Sequence, residues 1–187
     1  MKFVIFTLLF AFNLHAQEVV VPVVMETSMG TIEIDLYESK APRTVANFLQ
    51  YVDDKFYDGT IFHRVMDGFM IQGGGFTKNM REKPNSRAAI RHEGNTNLSN
   101  EIGVIAMART NDPHSATAQF FINVADNRRL DHVGPTASGW GYVTFGKVTK
   151  GMDVVNQIKA VKTGTSNGHE NVPVTAIIIK SIGRKKK

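Results

Sequence analysis

Thr60-Ile61-Phe62-His63-Arg64-Val65-Met66-Asp67-Gly68-Phe69-Met70-Ile71-Gln72-Gly73-Gly74-Gly75-Phe76 is the stretch whose reading decides the fold. Residues 61–65 and 69–72 are short runs rich in β-branched and aromatic residues, which fit a pleated, half-buried surface. Asp67-Gly68 between them is a two-residue hairpin turn. Three successive glycines are more simply explained by tight bends and close backbone approach than by a phosphate loop. They lack the Lys-Ser/Thr ending and open no helix. Outward from this hairpin the same texture continues. Residues 19–25 and 31–36 form a second hairpin about a turn at Ser28-Met29-Gly30, and residues 103–108, 119–124, 143–148 and 175–182 are four further strands. Only two segments carry helical periodicity. One opens at Pro42, with Val45, Phe48, Leu49 and Val52 on one face, and fades at Asp53-Asp54. The other is marked by Val154, Val155 and Ile158. Residues 77–97 are polar and irregular. Many short strands with two isolated helices do not suggest βαβ winding. The expected class is mainly β, an antiparallel sandwich or a closed barrel with helices at its ends.

Composition bounds the rest. The 187 residues are 42% hydrophobic and 21% charged, the range of a single globular domain, with no internal repeat or linker. Cysteine is absent, which removes disulfides, Cys-based zinc sites and thiol nucleophiles. The net charge is +5, four of it in residues 184–187. Such a tail can touch nucleic acid or anionic lipid, but it is more often a solvated end, and nucleic acid is not expected as a partner. At the other end Lys2 precedes the apolar run 3–12 and then Asn13-Leu14-His15-Ala16. This is the layout of a secretory signal peptide cut after Ala16. The run is too short for a membrane-spanning helix. A buried first strand or an uncleaved anchor is the competing reading. The expected organisation is a signal peptide over 1–16, one domain over 17–183 and a basic tail over 184–187.

The chemistry-bearing residues exclude more than they propose. His63, His92, His114, His132 and His169 show no i, i+4 spacing and no accompanying carboxylate cluster, so no metal site is expected. Gly-x-Ser-x-Gly is absent, and no serine is placed for nucleophilic catalysis. What stands out is Arg64 amid Phe62, Phe69 and Met70, with Gln72 close by and Gln119-Phe120-Phe121 later. An arginine there is either a surface cation with a snorkelling stem or a charge aimed into an apolar cleft.

Six blocks resemble the cyclophilin family in order and spacing: Phe62-His63-Arg64-Val65; Gly68-Phe69-Met70-Ile71-Gln72-Gly73-Gly74; Ala106-Met107-Ala108; Ser115-Ala116-Thr117-Ala118-Gln119-Phe120-Phe121-Ile122; Leu130-Asp131-His132; and Phe145-Gly146-Lys147-Val148. The resemblance runs from about residue 19 to 182 and is greatest to periplasmic cyclophilins of Gram-negative bacteria. It implies a closed eight-stranded antiparallel β-barrel capped by two helices. It also implies peptidyl-prolyl cis-trans isomerase activity on proline-containing unfolded or extended polypeptides, assisting the folding of exported proteins in the periplasm. No cofactor or metal is implied, and a monomer is expected. By resemblance Arg64 is the catalytic donor, and Gln72 orients Arg64 or a substrate carbonyl. Phe69, Met70, Phe121 and Leu130 form the proline pocket, while Phe62 belongs to the core. Gln119 binds the peptide backbone, and main-chain groups of Ala108, Arg109 and Thr110 pair with the peptide as an added strand. His63, next to Arg64 on a strand, is expected on the opposite face.

Two departures from the family pattern stand at the groove. Arg129 replaces the common Trp before the Leu-Asp pair, which implies weak cyclosporin binding. Tyr142 replaces a common His and can still donate a hydrogen bond. A binding module without turnover, and a nucleic-acid or envelope binder acting through the basic tail, are the competing functions. A pure binder has no use for Arg64, and the tail reading requires binding that is lost when residues 184–187 are removed.

Overall fold

The computed structural model describes residues 18–84 and 87–185; the expected signal peptide lies outside them. Eight strands form one antiparallel sheet. They are β1 (Val20–Thr27), β2 (Gly30–Tyr37), β3 (Thr60–Met66), β4 (Met70–Thr77), β5 (Val104–Met107), β6 (Phe120–Asn123), β7 (Thr144–Lys150) and β10 (Ile179–Arg184). Their order is β10-β1-β2-β7-β5-β6-β4-β3. The two edges then meet: Phe62 N–H donates to Ile177 O at 3.0 Å, Gly59 N–H donates to Ile179 O at 2.9 Å, and Ile61 bridges Ile178. The sheet so closes into a barrel, which removes its exposed edges.

The interior is filled from alternate strand positions such as Ile32, Ile34, Leu36, Ile105, Phe120 and Ile122, all fully buried. Helix α1 (Pro42–Asp53) plugs one end with Phe48, whose ring meets Tyr57, Phe120 and Phe145 at centroid distances of 5.1, 5.7 and 5.3 Å. Its N-terminal Ala41 offers no capping side chain. Glu93 supplies the cap from another loop, accepting Arg43 N–H and Thr44 N–H at 2.8 Å each and the Thr44 hydroxyl. Helix α2 (Met152–Lys159) packs Val154, Val155 and Ile158 inward. It starts at Gly151, φ +86°, where a Cβ would sit 2.3 Å from Thr31 O, so the chain needs glycine there.

All eight strands and both helices read from the sequence are present, with two shifts. The strand read as 69–72 runs on through the three glycines to Thr77. The last strand starts at Ile179 and not at residue 175, because residues 177–178 are spent on closing the barrel. One hairpin was not read: β8 (Thr163–Ser166) and β9 (His169–Pro173), joined at Asn167-Gly168 with φ of +49° and +79°. Arg184 and Lys185, read as the start of a solvated tail, are tied to the end of α1 and to β2 by ion pairs to Asp53 at 2.9 Å and Glu33 at 2.5 Å.

Candidate active site

Strand register sets Arg64 opposite Gln72, Gln72 opposite Phe121, and Phe121 opposite Ala106. These residues form one row across β3, β4, β6 and β5 on the outer face, each step about 4.8 Å. Further along the same face Met70, Phe121 and Ala106 are buried, 2%, 4% and 0% exposed, under a partly buried rim of Met66, Phe69, Ala108, Leu130 and Tyr142. An apolar pocket on the outside of a barrel, with a guanidinium at the end of its row, serves no core-forming purpose. Phe62 faces the interior, fully buried, its ring 6.2 Å from Phe120.

His63 departs from the sequence expectation. The register jumps from Phe62 opposite Gly73 to Arg64 opposite Gln72, leaving His63 as a bulge residue. A bulge breaks the two-residue alternation. His63 therefore lines the same cleft of about 510 Å³ as Arg64, together with Gln72, Gln119, Phe76, His169 and Glu170. Its ring is 4.5 Å from that of Phe76 and is almost wholly buried, and among the described residues Nδ1 has no partner. Burial, then the charges of His169 and Arg64, holds its pKa down at about 4.

Gln72 Nε2 donates to Gln119 Oε1 at 3.0 Å, so among the described residues the Gln72 amide is held by Gln119 and not by Arg64. Gln119 lies against Gly75, where a Cβ would stand 2.5 Å from its side chain. The glycine run is thus a floor for this amide pair. In the segment read as the added-strand edge, Ala108 N–H donates to Gln119 O and Thr110 N–H to Ser115 Oγ, both at 2.9 Å. Among the described residues, the Arg109 N–H is the one of these three backbone donors without a partner. The Arg109 side chain is committed: its guanidinium lies 4.7 Å from the Tyr142 ring centroid, and Nε donates to Gly141 O at 2.8 Å. Arg129 lies over the Phe69 ring at 5.2 Å. Trp140 stays out of the groove, its ring 5.1–5.5 Å from those of His92, His114 and His132.

A buried amide network beneath the pocket was missed in the sequence. Asn127 Nδ2 donates to Phe69 O and to Asn123 Oδ1, both at 2.8 Å, and Asn127 O accepts Leu130 N–H at 2.7 Å. Asn123 Nδ2 reaches Asn100 Oδ1, and Asn100 donates twice to Asp131 Oδ1. Two walls of the pocket, Phe69 and Leu130, thus hang on one residue, the first through the Asn127 side chain and the second through its backbone carbonyl. Three asparagines within or beside β-rich runs were the available signal, since polar residues there must be satisfied by partners.

Residues 22–184 match the family described as cyclophilin type peptidyl-prolyl cis-trans isomerase. The chain is 57% identical over 157 residues to peptidyl-prolyl cis-trans isomerase cyp18 of Streptomyces antibioticus, covering 84% of this chain and 94% of that one. It is 52% identical over 160 residues to peptidyl-prolyl cis-trans isomerase B of Escherichia coli, covering 86% and 97%. Among solved structures, a Cryptosporidium parvum cyclophilin in the presence of the dipeptide Ala-Pro superposes with a TM-score of 0.71 at 27% identity, over 89% of this chain and 99% of that one. The chain belongs to the cyclophilin-type peptidyl-prolyl cis-trans isomerases, which act on proline-containing peptides.

Proposed function

We propose that this isomerase works on exported polypeptides, with Arg64 as the catalytic donor and the Met70–Ala106–Phe121 pocket as the seat of the proline ring. The X–Pro amide resists rotation by about 18–20 kcal/mol because its nitrogen is conjugated. No bond breaks, so catalysis consists of binding the twisted amide more tightly than either planar form. On twisting, the proline nitrogen loses conjugation and regains a lone pair. A guanidinium N–H held beside it stabilises that state selectively, with no proton transferred. The Gln72–Gln119 pair holds the peptide backbone, Arg109 N–H offers a strand-like contact, and Phe69, Leu130 and Tyr142 wall the ring in.

The observation that carries this reading is the register row, which sets Arg64 two strands from Phe121 with only Gln72 between. Export rests on the N-terminal apolar run, and a monomer is the expected state. In a protease-coupled isomerisation assay on a short Ala-Pro peptide, Arg64→Ala is expected to lower kcat/KM at least tenfold with the thermal transition unchanged. Arg64→Lys is also poor, since an ammonium lacks the planar fork. Near-normal turnover in Arg64→Ala removes Arg64 from the mechanism.

A further inference from the structure

Beside the pocket lies a second cleft, of about 350 Å³, lined by residues 94–99 and by Asp131, His132, Tyr142 and Thr144. It is continuous with the proline groove in two ways. Tyr142 belongs to both, and Leu130 rims the pocket while Asp131, the next residue, lines the cleft. The register row also extends into it, because Ala106 stands opposite Thr144. Phe121 and Thr144 are therefore two strand spacings apart, about 10 Å. A side chain one or two residues from a bound proline spans that distance, at about 3.3–3.6 Å per extended residue plus its own length.

The lining has one charged group. Among the described residues, Asp131 is the only acidic or basic residue lining the cleft, apart from His132, whose Nδ1 is paired with Trp140 O at 2.9 Å. Thr144 and Thr96 bond each other, and Thr144 also bonds Leu98 O, so their hydroxyls are largely engaged. Asp131 is held at one oxygen only: Oδ1 accepts Asn100 N–H at 2.7 Å and Asn100 Nδ2 at 2.9 Å. Among the described residues Oδ2 has no partner. A carboxylate oriented through one oxygen and open at the other is a preorganised acceptor. The nearby cations are engaged elsewhere: Arg128 pairs with Glu101 and Asp126 and feels the Asp131 charge more weakly than theirs, and Arg129 lies over Phe69.

We infer that this cleft is a subsite for a lysine or arginine side chain flanking the proline, with Asp131 as its carboxylate partner. It deepens the isomerase reading of the groove and rests on it. The volume suits one long, flexible cationic side chain, and the lining beside Asp131 is polar, with Asn95, Asn97 and Ser99. Glu82 and Glu170 line other clefts, with Arg109 and Arg64 respectively, so the charge preference belongs to Asp131.

The test uses peptides with an Ala-Pro core in which lysine, norleucine or glutamate stands at each of the two positions before and two after it. Lysine is expected to exceed norleucine about fivefold in kcat/KM at one position, through KM, with the advantage shrinking in high salt. Asp131→Asn brings that ratio to about one; the ratio within each variant is what is read, so any change in general turnover divides out. Asn95→Lys, which adds a cation to the lining away from the Asn100 bonds, is expected to favour glutamate instead. A lysine-to-norleucine ratio near one at all four positions, with the unsubstituted Ala-Pro peptide turned over, overturns the subsite and leaves the isomerase reading standing. A ratio that survives both substitutions also overturns it. No turnover of the Ala-Pro peptide removes the isomerase reading itself.

Discussion

Arg64 and His63 are adjacent in sequence and share one cleft, yet only one of them suits a constant cation. Arg64 keeps its charge at any physiological pH, whereas burial keeps His63 neutral down to about pH 4. Met70, Gln72 and Phe121 share one face because Met70 and Gln72 stand two apart on β4 and Phe121 pairs with Gln72; Phe69 lies in the turn before β4, and its place at the pocket came from the resemblance and not from alternation. The face of His63 was not readable, because a bulge is a property of how two strands pair and leaves no mark in either run. Arg129 shows what a single replacement does at the groove rim. Its guanidinium stacks on Phe69, but it is charged, long and costly to fix, and it lacks an indole's flat wall and fixed donor. Cyclosporin is therefore expected to inhibit weakly. Arg129→Trp should tighten inhibition about tenfold, worth about 1.4 kcal/mol, in side-by-side titrations. Tight inhibition of the unsubstituted chain would assign the rim to another group.

Elements were legible where their signal was local. Helix α1 declared itself through Pro42 and one apolar face, and the first hairpin through its alternation. The β8–β9 hairpin was missed although Asn167-Gly168 is a strong turn signal, because its flanks Thr163–Ser166 and His169–Pro173 alternate no hydrophobic residues. That hairpin nevertheless lends His169 and Glu170 to the Arg64 cleft. The cap of α1 was equally hidden, since Glu93 lies about fifty residues beyond the helix start. Three donors converge on its carboxylate, at a helix end that has no cap of its own. Glu93→Ala is expected to lower stability by about 2 kcal/mol, the sum of a lost cap and charge-assisted bonds. Denaturant unfolding should show a lower midpoint with an unchanged slope. An unchanged midpoint would mean that water replaces the carboxylate at no cost.

At the scale of the whole molecule, the barrel and its plugs were readable because the hydrophobic pattern names what goes inside. What the barrel carries on its outside was less so, since that depends on which strands become neighbours. The chain's response to pH arises there. His63 lies between Phe76, His169 and Arg64 outside β3; His92 lies under Trp140 with His114, His132 and Arg109 nearby. Burial comes first in lowering both to about pH 4, with neighbouring positive charge adding to it. In the unfolded chain both return to about 6.5. Between pH 6.5 and 4 the unfolded state thus binds more protons, and stability rises with pH across that window and is fully present above it. His63 contributes at most about 3.5 kcal/mol, at about 1.4 kcal/mol per pH unit of displacement, and His92, more open to solvent screening, contributes less. Turnover needs no proton, and neither group titrates above pH 6 in the folded chain. Activity is expected to stay level from about pH 6 to 8, while denaturant midpoints fall steadily as pH is lowered from 6.5 towards 4. His63→Gln should flatten part of that fall. A bell-shaped activity profile near neutrality, with folding intact throughout, would show that a histidine moves a proton in the reaction and would overturn the proton-free mechanism.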